Sequence, residues 1–152
     1  MAVNPSFAGR EYPPTPRYEV GREKIREFAE AVGATHASHR DVAAALALGY
    51  PDVVAPATFA VVVAQRAEQQ LIEDPAAGID FARVVHADER FTHHRPIHAG
   101  MRLVSVLHVQ SIAVRAGLAM VTTRAEIASD DGARVATVIS TLAVRGDEAP
   151  GA

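Results

Sequence analysis

The stretch Pro56–Asp74, PATFAVVVAQRAEQQLIED, decides the fold. Its centre, FAVVVA from Phe59 to Ala64, has the β-branched character of a strand. The apolar run nevertheless continues to Ile72, past the length of an ordinary strand, and its tail QRAEQQL is built from good helix formers. Pro56 suits a helix start, because the N–H that proline lacks has no intrahelical partner in the first turn. The segment therefore reads as one mostly buried helix beginning at Pro56.

Downstream of this helix the texture turns to β. After Asp74, Pro75 and Gly78, residues 83–93, 101–115, 118–129 and 133–144 read as strands. Asp130, Asp131 and Gly132 separate the last two, and Asp-Gly between alternating segments is a strong hairpin signal. Ala119, Val121, Ala125 and Ile127 share one face of their strand, with Thr122, Arg124 and Glu126 on the other. Upstream, Ile25, Phe28, Ala29 and Val32 recur at helical spacing between Gly21 and Gly33. Asp41 is placed to cap a short second helix, VAAALAL, that Gly49 ends. Tyr18–Val20 reads as a short strand, and residues 1–16, with Pro5, Pro13, Pro14 and Pro16, as an extended arm. Helices followed by an antiparallel meander make an α+β domain, with the apolar helix wrapped by the sheet.

Composition narrows the function. The chain has 152 residues, 49% of them hydrophobic and 22% charged, the size of one domain with one core. A net charge of −3 with no run of Lys or Arg offers no field for nucleic acid or an anionic membrane. Without cysteine there is no disulfide, thiolate nucleophile or Cys-based zinc site. No window reaches a membrane span and no secretory h-region is visible, so a cytoplasmic protein is expected. Ala and Val dominate the apolar set and tryptophan is absent; such a core buries little area per residue, which favours a dimer.

Seven histidines are the main candidates for acid–base work. His36 and His39 lie in the loop between the first two helices, beside Asp41. His94 and His98 would share a face of an extended segment, but two imidazoles without a carboxylate at ligand spacing do not make a zinc site, and no metal is expected. There is no G-x-S-x-G elbow for a serine hydrolase and no glycine-rich phosphate loop.

Several segments in order resemble the MaoC-like hydratase/dehydratase branch of the hotdog fold. FAEAVG, Phe28–Gly33, is similar to the family's helix end, and GATHASH, Gly33–His39, lies across its G-D-x-N-P-x-H motif. Gly49-Tyr50, VVAPATFA from Val53 to Ala60, and RFTHHRPIHAGMRL from Arg90 to Leu103 resemble the later parts. The resemblance spans residues 17–145, leaving an arm at 1–16 and a tail at 146–152. It implies a single hotdog, a long central helix wrapped by an antiparallel sheet, that pairs with a second one. It also implies interconversion of (3R)-hydroxyacyl and trans-2-enoyl thioesters of coenzyme A or acyl carrier protein, with no cofactor.

Carried over residue by residue, His39 stands at the catalytic histidine, while Ala34 stands where the family has its aspartate. His36 and Ala37 replace the motif's Asn and Pro, and Pro56-Ala57 replaces the His-Gly that opens the central helix. These departures resemble the accessory subunit of bacterial (3R)-hydroxyacyl-acyl carrier protein dehydratases, which holds the acyl chain beside a catalytic partner. Ala57, Thr58, Phe59 and Val62 are then the candidate substrate-binding residues. The alternatives are a weak enzyme in which His39 recruits His36 or Asp41, a binding or scaffold hotdog without turnover, and a hotdog thioesterase. For the last, no well-placed nucleophilic carboxylate is evident near the central helix. Either a homodimer or a heterodimer with a catalytic subunit satisfies the resemblance.

Overall fold

A computed structural model describes residues 2–146. Its elements run β1 (Tyr18–Glu19), α1 (Arg22–Ala31), α2 (Val42–Ala47), α3 (Ala60–Ile72), β2 (Val84–His93), β3 (Arg102–Arg115), β4 (Leu118–Ser129) and β5 (Arg134–Arg145). All strand pairings are antiparallel, in the order β1-β3-β4-β5-β2. The sheet curls around α3, as the α+β reading requires. Among the described residues no helix is long and apolar enough to cross a membrane.

The wrapped helix follows from its stripe of small apolar residues. Ala60, Val63, Ala64, Ala67 and Leu71 recur every three or four positions and are all buried. Facing them, Phe91, Val138, Ala125 and Leu107 form one row across β2, β5, β4 and β3. Small side chains on the helix let a curved sheet approach it closely, which is what an Ala- and Val-rich core is suited to. The hairpin of β4 and β5 turns where the Asp-Gly signal stands: Gly132 has φ 83°, and the Ala133 N–H donates to the Asp131 carboxylate.

Two expectations need correction. The central helix begins at Ala60, four residues after Pro56. Phe59 N–H bonds to the Pro56 carbonyl, Val61 to Thr58 and Val62 to Phe59, so residues 57–59 close a tighter turn of i to i+3 bonds before the helix proper. The arm is also more than an extended lead-in. Pro5–Phe7 forms a single 3-10 turn, and Val3, Phe7 and Tyr12 are buried in the core. Gly9, Tyr12 and Thr15 donate their N–H groups to the carbonyls of Val109, Leu107 and Ser105, so the arm covers the border of β3 beyond β1. The expected tail lies outside the described residues except for Gly146.

The two borders of the sheet consequently differ. One is closed by β1 and the arm, whereas β2 ends the strand order on the other side.

Candidate functional site

The loop after α1 is built by local hydrogen bonds. Gly33, at φ 72°, turns the chain out of the helix, and Ala34 N–H reaches back to the Ala29 carbonyl at 2.8 Å. Residues Ala37–His39 then form one 3-10 turn. His36 caps that turn: its Nδ1 accepts from the Ser38 N–H at 3.1 Å and lies 2.9 Å from Ser38 Oγ. Because Nδ1 accepts, the neutral ring of His36 carries its proton on Nε2.

His39 has the opposite assignment. Its Nδ1 lies 2.7 Å from the Val54 carbonyl oxygen, which can only accept, so Nδ1 carries the proton and Nε2 is the basic nitrogen of the neutral ring. The ring is half-buried and meets the His36 ring edge-on, with centroids 6.5 Å apart. Val54 in turn donates to the Ser38 carbonyl, which fastens the histidine loop to the segment entering α3. Arg22 forms a two-pronged ion pair with Asp52, at 3.0 and 2.9 Å, that ties the start of α1 to the same segment. The guanidinium holds the Asp52 carboxyl below the usual range.

The remaining candidates fall in different places. Asp41 accepts from the Ala43 N–H and caps α2, so its carboxylate is occupied at that helix start. Ala34 is half-buried and its carbonyl accepts from Arg40 Nη2 at 3.2 Å. Ala34 stands five residues before His39 in this loop, and its side chain is a methyl group with no proton to give or take.

At the start of α3 a cleft of about 340 Å³ is lined by Tyr50, Ala55, Ala57, His93, Arg95 and Ile97, among others; His39 is not part of its wall. His93 Nε2 donates to the Ala57 carbonyl at 2.6 Å, holding the pre-helical turn against β2. Ala57 and Thr58 are exposed, and neither N–H donates to a carbonyl among the described residues. Val62 is half-buried and packs on the core. Phe59 is fully buried, edge-on to Phe28 at 5.4 Å between centroids, and serves the core. His94 and His98 do not converge: one ring lies 3.1 Å from Thr137 Oγ1, the other 2.9 Å from the Ala99 carbonyl.

One buried acid went unnoticed in the sequence. Glu68 of α3 is 4% exposed and accepts from Thr123 Oγ1 at 3.0 Å. Its position, eight residues after Ala60 on the apolar stripe, was the available signal.

Residues 6–138 match the family described as FAS1-like, dehydratase domain region. A UPF0336 protein of Saccharopolyspora erythraea is 56% identical over 146 residues, covering 96% of this chain and 94% of that protein. Among solved structures, a chain of the HadBC (3R-hydroxyacyl-ACP dehydratase) complex from Mycobacterium tuberculosis is 34% identical with a TM-score of 0.80, over 90% of this chain and 96% of that one. A MaoC-like dehydratase is 37% identical with a TM-score of 0.84, covering 93% of this chain and 43% of the longer protein.

Proposed function

The chain belongs to the FAS1-like dehydratase domain region family and has the hotdog fold of the MaoC-like dehydratases, and from that premise we propose that it is the accessory subunit of a (3R)-hydroxyacyl thioester dehydratase. Ala34 carries this reading. Dehydration of the thioester requires a base to take the proton from C2, an acid to protonate the departing C3 hydroxyl, and donors for the charge that gathers on the thioester oxygen. His39 offers one basic nitrogen, Nε2, because its Nδ1 is committed to the Val54 carbonyl. No carboxylate stands beside it at Ala34, and Asp41 is engaged in capping. The chain therefore contributes binding surface, and a second hotdog that retains the aspartate and histidine contributes the proton transfers.

The subunit pairing is supported by the similarity to a chain of a HadBC complex and by the border of β2, which ends the sheet. The substrate under this reading is an acyl thioester of coenzyme A or acyl carrier protein, processed in the cytoplasm. Hydration of crotonyl-CoA, followed by loss of the enoyl thioester absorbance, tests it. The chain alone should turn over weakly; with a catalytic MaoC-like subunit turnover should be robust and indifferent to His39→Ala. Robust hydration by the chain alone that His39→Ala abolishes overturns the accessory role. Acyl-CoA binding without turnover in either mixture would favour a pure binding module.

A further inference from the structure

A polar row crosses the inner face of the sheet opposite the second half of α3. Glu89 of β2, Ser140 of β5 and Thr123 of β4 are register partners in sequence. Thr123 Oγ1 donates to Glu68 Oε1, and Glu68 Oε2 lies 3.5 Å from His86 Nε2 on β2. Ser140 is 5% exposed, and its Oγ has no hydrogen-bond partner among the described residues. A buried hydroxyl left without a partner is costly, and a group supplied from outside would relieve it.

Glu68 also lines a cleft of about 470 Å³ between α3 and the start of β2, whose wall includes Gln65, Gln69, Ile72, Phe81 and His86. Glu73 also lines it and accepts from Gln69 Nε2, while two carboxylates, Glu68 and Glu89, lie near one imidazole, His86. Among the described residues no Arg or Lys forms an ion pair with any of them. Burial first, and the charge of Glu68 second to it in the same direction, push the Glu89 carboxyl up, with His86 opposing. Phe81, on the wall of the cleft, is 67% exposed.

The geometry of the border says what can enter. The arm and β1 close the β3 side, so an added strand joins at β2. Antiparallel addition lays the first half of β2 against the second half of the incoming strand. A copy of this chain would present Phe91, Thr92 and His93 there, and the Arg90 guanidinium is already paired with Asp88 at 3.1 Å. Two copies would also bring their Glu89 carboxylates, near the centre of β2, towards one another, which is unfavourable for like charges facing across strands.

We propose that this polar row selects the partner at the β2 border: it receives an arginine or lysine side chain from the strand of a second, different hotdog subunit, with the cationic head between Glu68 and Glu89 and one of its N–H groups on Ser140 Oγ. The proposal rests on the pairing with a catalytic subunit and adds the contact that chooses it. A cation here offsets two carboxylates that share one histidine and, among the described residues, no Arg or Lys, so its loss weakens the complex more than an exposed rim pair would.

The test measures affinity of the full chain for a MaoC-like subunit of the same genome that retains the aspartate and histidine, by calorimetric titration at pH 7.5 in low and moderate salt. Glu89→Gln and Glu68→Gln should each weaken binding by about tenfold or more and flatten its salt dependence, while Glu23→Gln on exposed α1 should not. Thermal melting of each variant alone shows that the fold survives, and the half-buried Glu89 decides the matter if Glu68→Gln does not fold. In sedimentation velocity, Glu89→Gln should also raise self-association. A complex whose affinity and salt dependence are unchanged in both variants overturns the inference and leaves the accessory role standing. Failure of the wild-type chain to bind the catalytic subunit at all overturns the accessory role, and the inference with it.

Discussion

Replacing Ala34 by aspartate asks whether the loop holds half of a catalytic pair. Both backbone polar groups of Ala34 are satisfied, N–H on the Ala29 carbonyl and carbonyl on Arg40 Nη2, and the side chain is half-buried. A carboxylate can therefore be added at Cβ without disturbing the backbone. His39 is held with Nε2 basic, and the N–H groups of Ala57 and Thr58 donate to no carbonyl among the described residues, leaving them free for a thioester oxygen. A positioned acid–base partner contributes about 10²- to 10⁴-fold in rate. At about 1.36 kcal/mol per factor of ten, that is roughly 2.7–5.5 kcal/mol of barrier. Pro56 brings no N–H to the turn that leads into α3, so the lower end applies. Ala34→Asp should thus raise crotonyl-CoA hydration by about 100-fold, and a second change, His39→Ala, should return it to baseline. The assay uses the purified chain and its complex with a catalytic subunit whose own aspartate and histidine have been removed. A folded Ala34→Asp protein that gains less than about threefold in both would refute the placement of the catalytic pair in this loop.

Three further outcomes follow from the packing. Gly78 is buried at φ 70°, and a Cβ there would fall inside contact distance of the Ala2 carbonyl oxygen; Gly78→Ala should cost about 1–3 kcal/mol in urea unfolding and speed amide exchange at Gly9, Tyr12 and Thr15. Phe59→Ala removes a fully buried ring from between α3 and α1 and should cost about 3–5 kcal/mol, read by the same unfolding curve. Glu89→Gln should raise the melting temperature at pH 7.5 and leave it unchanged near pH 3. The Glu89 carboxyl is pushed up in the fold, so between its unfolded and folded pKa values the native state binds the extra proton and stability falls as pH rises. Gln removes that loss, and equal melting temperatures at both pH values would contradict the buried placement.

The fold was legible where one physical signal acted alone. Glycines that must turn the chain marked the ends of α1 and α2, and the hairpin at Gly132 placed β4 at the residues expected. Asp41 was readable as a cap because an N-cap needs one oxygen at one position. The start of α3 was misread because Pro56 satisfies the opening of a 3-10 turn as well as that of an α-helix, and only the tertiary hold of His93 on Ala57 separates them. Four prolines in the arm argued against regular structure but said nothing about Phe7 and Tyr12, whose burial depends on β3, about 100 residues away in sequence. In the candidate site, the alanine at position 34 and the histidine at position 39 could be read from the resemblance alone. The proton assignment on His39 was not, since it is fixed by the Val54 carbonyl across the loop.

A histidine loop without its carboxylate and an acidic row at the sheet border have a common consequence under the proposed function. A dimer of two copies of this chain would contain two loops with Ala34 in place of the aspartate, and no complete pair anywhere. Affinity for a second subunit is then useful only if it discriminates against a copy of itself, and discrimination needs an element that penalises the wrong partner. Hydrogen bonds along β2 cannot provide it, because any antiparallel strand satisfies the same N–H and C=O groups. Charge can. Glu68 and Glu89, with the orphaned Ser140 hydroxyl among their register partners, keep only His86 against a strand that offers no free cation and gain a full cationic partner from one that does. The cost of keeping those carboxylates buried in the free chain, visible in the upward push on Glu89, is what makes the choice of partner steep.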